Sequence, residues 1–105
     1  MSTIDISNKL VNEKPTLKIA EGKEYKVNNS KNAMLLIDQQ MRNGESEVES
    51  MDYVIKLTLG EKAFEEIEAM EMPFNDYKIL FMGVMAAVSG QTYEEVEKNF
   101  NTPSE

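Results

Sequence analysis

The sequence contains no cysteine, no histidine and no tryptophan. Without cysteine, neither a disulfide framework nor a thiol nucleophile can form. Without histidine, the chain lacks both the commonest general base near neutral pH and the commonest metal ligand. A Cys/His zinc site is therefore excluded. The first residues, Met1-Ser2-Thr3-Ile4-Asp5, lack the basic start and apolar run of a signal peptide. The longest uncharged apolar stretch, Ile79 to Val88, is about half of what a bilayer-spanning helix needs. These absences predict a cytoplasmic protein with no membrane partner.

What is present suits a single domain. The chain has 105 residues, of which 41% are hydrophobic, enough at this length for one buried core. The formal charge of −8 is unevenly spread. Residues 1–44 carry seven Lys/Arg against five Asp/Glu, or +2, and residues 45–105 carry four against fourteen, or −10. An acidic surface repels phosphate backbones, so no nucleic-acid partner is expected. The carboxylates either keep a small protein soluble or also steer a particular partner toward it.

Hydrophobic spacing divides the chain into elements. Residues 1–14 form either a short strand, since Ile4 and Ile6 alternate with Thr3 and Asp5, or a loose N-terminal arm, with Leu10 and Val11 as its other apolar residues. From Thr16 to Asn28, Leu17 and Ile19, then Tyr25 and Val27, alternate with polar residues, which predicts a β-hairpin. Pairing Ile19 with Tyr25 and Leu17 with Val27 keeps apolar residues opposite one another and implies a three-residue loop, Glu21-Gly22-Lys23. A two-residue Glu21-Gly22 loop would instead set Leu17 opposite Lys26.

A first helix follows from Lys31, capped by Asn29 or Ser30, with Met34, Ile37 and Met41 on one face, Leu35 beside them, and Gly44 as its stop. Ser46 and Glu49 have capping-box spacing before a stripe of Val48, Met51, Ile55 and Leu59. Glu61 to Glu71 carries Ala63, Phe64, Ile67 and Met70 on one face and glutamates on the other, and Met72-Pro73 breaks it. The fourth helix starts at Asn75 or Asp76. It matches the one-face template at Tyr77, Leu80, Phe81, Val84, Met85 and Val88, and its opposite side, Ile79, Met82, Gly83 and Ala86, is not polar either. Such a helix must be sheathed by neighbours or lie in an interface. Thr92 and Glu95 form a second capping box, before a last short helix edged by Tyr93, Val96 and Phe100. The expected fold is α+β, mainly α: one domain over residues 15–100, with an N-terminal β-hairpin, a compact bundle of about five short helices, and a polar tail at 101–105.

No residue group points to catalysis, and no cofactor or metal is expected. Glu65, Glu66, Glu68 and Glu71 are dense in acid but flank an apolar stripe as a solvated face would. Gly60-Glu61-Lys62 lacks the leading glycine and the Ser/Thr of a phosphate-binding loop. The eight methionines stand out. Methionine is flexible and polarizable, suited either to filling an irregular core or to lining a groove for varied apolar segments. On the second reading Met70, Met72, Phe74, Met82 and Met85 form the partner-binding surface.

The order of elements resembles a known family. The hairpin Thr16 to Val27 is followed by a run of helices, then by Leu59-Gly60-Glu61 with Phe64 and Ile67, by Met72-Pro73-Phe74-Asn75-Asp76-Tyr77, and by an ending from Gly90-Gln91-Thr92 to Asn99-Phe100. Over roughly residues 16–100 this is similar to the tail assembly chaperones of siphophages and prophages of Gram-positive bacteria. The resemblance implies a chaperone acting in the host cytoplasm, which coats the helical tape-measure protein until tail-tube subunits assemble around it and does no covalent chemistry. It also implies a homo-oligomer, the tail-tube protein as a further partner, and a longer form of the chain made by ribosomal frameshifting. Glu97-Lys98-Asn99 is compatible with an A-AAA-AAC slippery heptamer. The alternative is a small acidic interaction module, an antitoxin or regulatory adaptor that masks a basic partner.

Overall fold

The computed structural model describes residues 2–10, 13–44 and 46–101, without the side chains of Phe100 and Asn101. It is an antiparallel hairpin, β1 (Thr16–Ala20) and β2 (Lys23–Lys26), followed by five helices: α1 (Lys31–Asn43), α2 (Glu47–Leu59), α3 (Glu61–Ala69), α4 (Phe74–Ser89) and α5 (Tyr93–Asn101). The fold is therefore α+β and mainly α. The described part of the N-terminal arm is exposed, with a single 3-10 turn at Ser7–Lys9. Val11, the Phe100 side chain and the tail residues 102–105 lie outside the described residues.

The hairpin corrects the expected register. Its loop is Glu21-Gly22, with Gly22 at φ +77°, and Lys23 already belongs to β2. Leu17 pairs with Tyr25, not Val27, and Lys18 pairs with Glu24. The next pair is Ala20 with Lys23, so Ile19 is an extra residue on β1. A β-bulge absorbs one residue of length. That is how a two-residue loop coexists with Leu17 opposite Tyr25, a combination that a regular ladder forbids. Val27 follows β2, fully buried, and its N–H donates to the Pro15 carbonyl at 2.9 Å.

Side-chain caps mark three of the helix starts, those of α1, α2 and α5. Ser30 Oγ accepts from the Ala33 N–H at 3.1 Å, and Ser46 Oγ accepts from the Glu49 N–H at 3.3 Å. Before α5 the box is reciprocal: Thr92 Oγ1 accepts from the Glu95 N–H at 3.1 Å, and Glu95 Oε1 accepts from the Thr92 N–H at 2.9 Å. α3 ends at Ala69, two residues earlier than the sequence reading, because Glu71 takes a left-handed φ of +47°. α4 begins at Phe74, one residue before the predicted start, with Pro73 at its N-cap.

The main core gathers Val27, Ile37, Met51, Val54, Ile55, Ile67, Tyr77, Leu80, Phe81, Val84 and Val88. The buried face of α2 is thus rotated from the expected stripe toward Met51, Val54, Ile55 and Thr58, and Val48 is 44% exposed. On α1 only Ala33 and Ile37 are buried, while Leu35, Leu36 and Met41 stay exposed. α4 is sheathed by β1, α2 and α5. A satellite core of Met82, Ala86 and Val96 joins it to α5. On its hairpin side Gly83 admits β1 closely, since a Cβ there would lie 3.1 Å from Leu17 Cδ1.

Candidate binding site

The hairpin does not seal the start of α4. Between them lies an open cleft of about 510 Å³, lined mainly by Leu17, Ile19, Met70, Met72, Ile79 and Tyr93. Three local features shape it. The alternation of β1 turns Leu17 and Ile19 inward. The end of α3 brings in Met70, and Pro73 forces the chain to turn before α4, which leaves Met72 between two helices. Ile79 lies on α4 at this cleft and is 43% exposed. The charged groups at this cleft are Lys18 and Asp76. Lys18 Nζ also pairs with Glu21 across 2.8 Å of exposed surface.

Met72 also lines a second cleft of about 360 Å³, with Val48, Ile67, Phe74 and Tyr77 as its other apolar walls. This cleft has an acidic rim of Asp52, Glu68 and Glu71. The Tyr77 hydroxyl donates to Asp52 Oδ1 across it, which ties α4 to α2. Burial, then that hydrogen bond and the charges of Asp52 and Glu68, push the Tyr77 phenol well above its ordinary range. Tyr25 donates to Glu66 Oε1 at 2.9 Å, which ties the hairpin to α3. Burial, then this bond and the Glu66 charge, raise the Tyr25 phenol too. At the first cleft Tyr93 is raised by burial, then by the carboxylates of Glu97 and Glu94.

The five residues singled out in the sequence separate in space. Met70 and Met72 are half-buried walls of the first cleft, while Phe74, 49% exposed, stands at the second. Met82 is 6% exposed, in the satellite core under α5, and Met85 is half-buried between the two cores. Met82 thus packs within the chain, against Ala86 and Val96. The sequence reading missed Leu17, Ile19, Ile79 and Tyr93 as walls of the same cleft. Ile79 was the one with a signal, since it lies on the side of α4 that periodicity left apolar and unassigned.

Among the described residues, no group of three or more carboxylates is placed to hold a metal ion. No described helix is long and apolar enough to cross a membrane. The arrangement can hold one or two apolar side chains of another segment against flexible methionines, beside carboxylates. Set against models of known families, curated proteins and solved structures, the chain matches none of them.

Proposed function

We propose that this protein is a phage tail assembly chaperone, which holds apolar helical segments of the tape-measure protein and keeps that protein soluble in the host cytoplasm until the tail tube assembles. The observation that carries this reading is the open apolar cleft between β1 and α4, with Met70 and Met72 on its wall. Its volume falls within the roughly 300–1,000 Å³ that ligand clefts span. An amphipathic helix lays apolar anchors into such a groove, and methionine side chains adapt to anchors of different shape. The net charge of −8 keeps the loaded complex soluble. No covalent step is involved.

The test is to co-express the chain with the tape-measure protein encoded beside it and to follow the soluble, co-purifying fraction. The wild type should carry the tape-measure protein into solution, and Met72→Asp with Ile79→Asp should lose it. Both positions are partly exposed, so the variant should keep its helical circular dichroism. If the tape-measure protein aggregates equally with and without the wild-type chain, the reading is wrong.

The acidic rim of the second cleft favours one alternative, an adaptor that masks a basic partner there. The two readings separate by salt. Capture by an apolar cleft persists at about 0.5 M salt, whereas capture by exposed carboxylates is screened away.

A further inference from the structure

Two apolar features in the structure lack a partner. The first is the N-terminal arm, where Ile4 is 88% exposed and Ile6 and Leu10 are also open to solvent. The second is the cleft beside β1. Four consecutive β1 residues, Leu17 to Ala20, line it. Leu17 and Lys18 precede the bulge at Ile19 and so point to opposite faces, yet both line the cleft, which means that the strand edge itself faces it. That edge is open, because β1 pairs only with β2 among the described residues. The Val27 N–H donates to the Pro15 carbonyl, and Thr16 pairs with Lys26. By antiparallel alternation, the backbone N–H and C=O groups of Thr16 and Lys18 then point outward on the open edge.

The arm matches this edge in one antiparallel register. With Ile4 opposite Ile19, Ile6 falls opposite Leu17 and Asp5 opposite Lys18. Apolar residues then face apolar residues over the cleft, and the one acid of the strand meets the one base of the edge. Shifting by one residue would put isoleucines opposite Lys18 and destroy both matches. Asp5 now accepts from the Ser7 N–H at 3.0 Å and Ser7 Oγ at 2.7 Å, and Lys18 holds Glu21. All of these contacts are exposed, and exposed pairs exchange at little cost.

We infer that the cleft of one molecule receives residues Thr3–Ile6 of a second copy as an added strand on β1, and that the exchange is reciprocal, giving a two-fold dimer. The isolated chain leaves its own arm clear of its own cleft, and no described arm residue lines it. A second copy offers both missing halves at once, as an isologous interface requires. The dimer therefore guards the same cleft that an apolar client would enter. Its test uses the purified protein alone, so it fails or succeeds independently of the chaperone reading.

The experiment is sedimentation equilibrium of full-length chains at low salt. The wild type should be a dimer, and Ile4→Asp with Ile6→Asp a folded monomer. Asp5→Lys and Lys18→Asp should each weaken the dimer by roughly tenfold or more, because two cross-strand attractions become repulsions. Mixing these two single variants should restore it, since each arm then meets an opposite charge on the other chain. A mixture that fails to restore the dimer would mean that Asp5 and Lys18 do not meet across chains, which overturns the proposal. A monomeric wild type, or a dimer indifferent to Ile4 and Ile6, overturns it as well.

Discussion

The two sides of α4 are made of similar residues and meet different fates. Tyr77, Leu80, Phe81, Val84 and Val88 sink into the main core against α2 and its neighbours. On the other side, Met82 and Ala86 are covered by α5, Gly83 is covered by Leu17, and Ile79 is left half in solvent at the cleft. Both sides of the helix are apolar, but which residues are core and which line the cleft is decided by where neighbouring elements stop. The hairpin and α5 each cover part of the second side, and the cleft is what they leave.

This contrast yields graded expectations. The inner side should carry stability, so Phe81→Ala should cost about 3–5 kcal/mol in urea unfolding, through lost burial and a residual cavity. A loss below about 1 kcal/mol would mean that the main core is less well packed than the structure indicates. Gly83→Leu should cost about 1–3 kcal/mol by overpacking against Leu17 and lifting the hairpin. The proposed tape-measure capture should fall with it, since Leu17 is a wall of the cleft. Unchanged capture would separate the hairpin from the site. The smallest effect is Tyr77→Phe, about 1 kcal/mol at neutral pH, because the half-buried Asp52 loses its donor.

The tyrosine also sets a pH dependence. The Tyr77 phenol is raised above its ordinary 10.0 in the folded protein. Its contribution is therefore complete below pH 10 and falls as the pH rises further, because the unfolded chain releases the proton first. Wild-type stability should drop faster than that of Tyr77→Phe above pH 10, by at most about 1.4 kcal/mol per pH unit. Parallel curves would show that Tyr77 is not shielded by α2.

Much of this architecture is legible in the sequence. Period-two alternation located the hairpin, and caps at Ser30, Ser46 and Thr92 located three helix starts. Failures came where a local rule met a non-local one. The register was misjudged because the bulge at Ile19 has no signature in the residues themselves. The face of α2 was misjudged because its buried stripe includes polar Ser50 and Thr58. Ser50 accepts from Gln40 Nε2 at 3.3 Å and Thr58 donates to the Val54 carbonyl at 2.8 Å, so both are satisfied inside. The candidate site was half legible: Met70, Met72 and Phe74 reach the clefts, while the spacing of Met82 and Met85 could not reveal that α5 lies over them.

One hydrogen bond links distant parts of the chain. The Asn28 N–H donates to the Thr58 carbonyl at 2.8 Å. Thr58 stands in the last turn of α2, where carbonyls have no partner within their own helix. The strand leaving the hairpin therefore finishes the helix, and the helix secures the strand, across a loop that contains all of α1. During synthesis the hairpin has nothing to rest on until α2 has left the ribosome. In the finished protein a single amide sits on that closure, so slow hydrogen exchange of the Asn28 N–H is the expected sign that the hairpin and α2 stay joined.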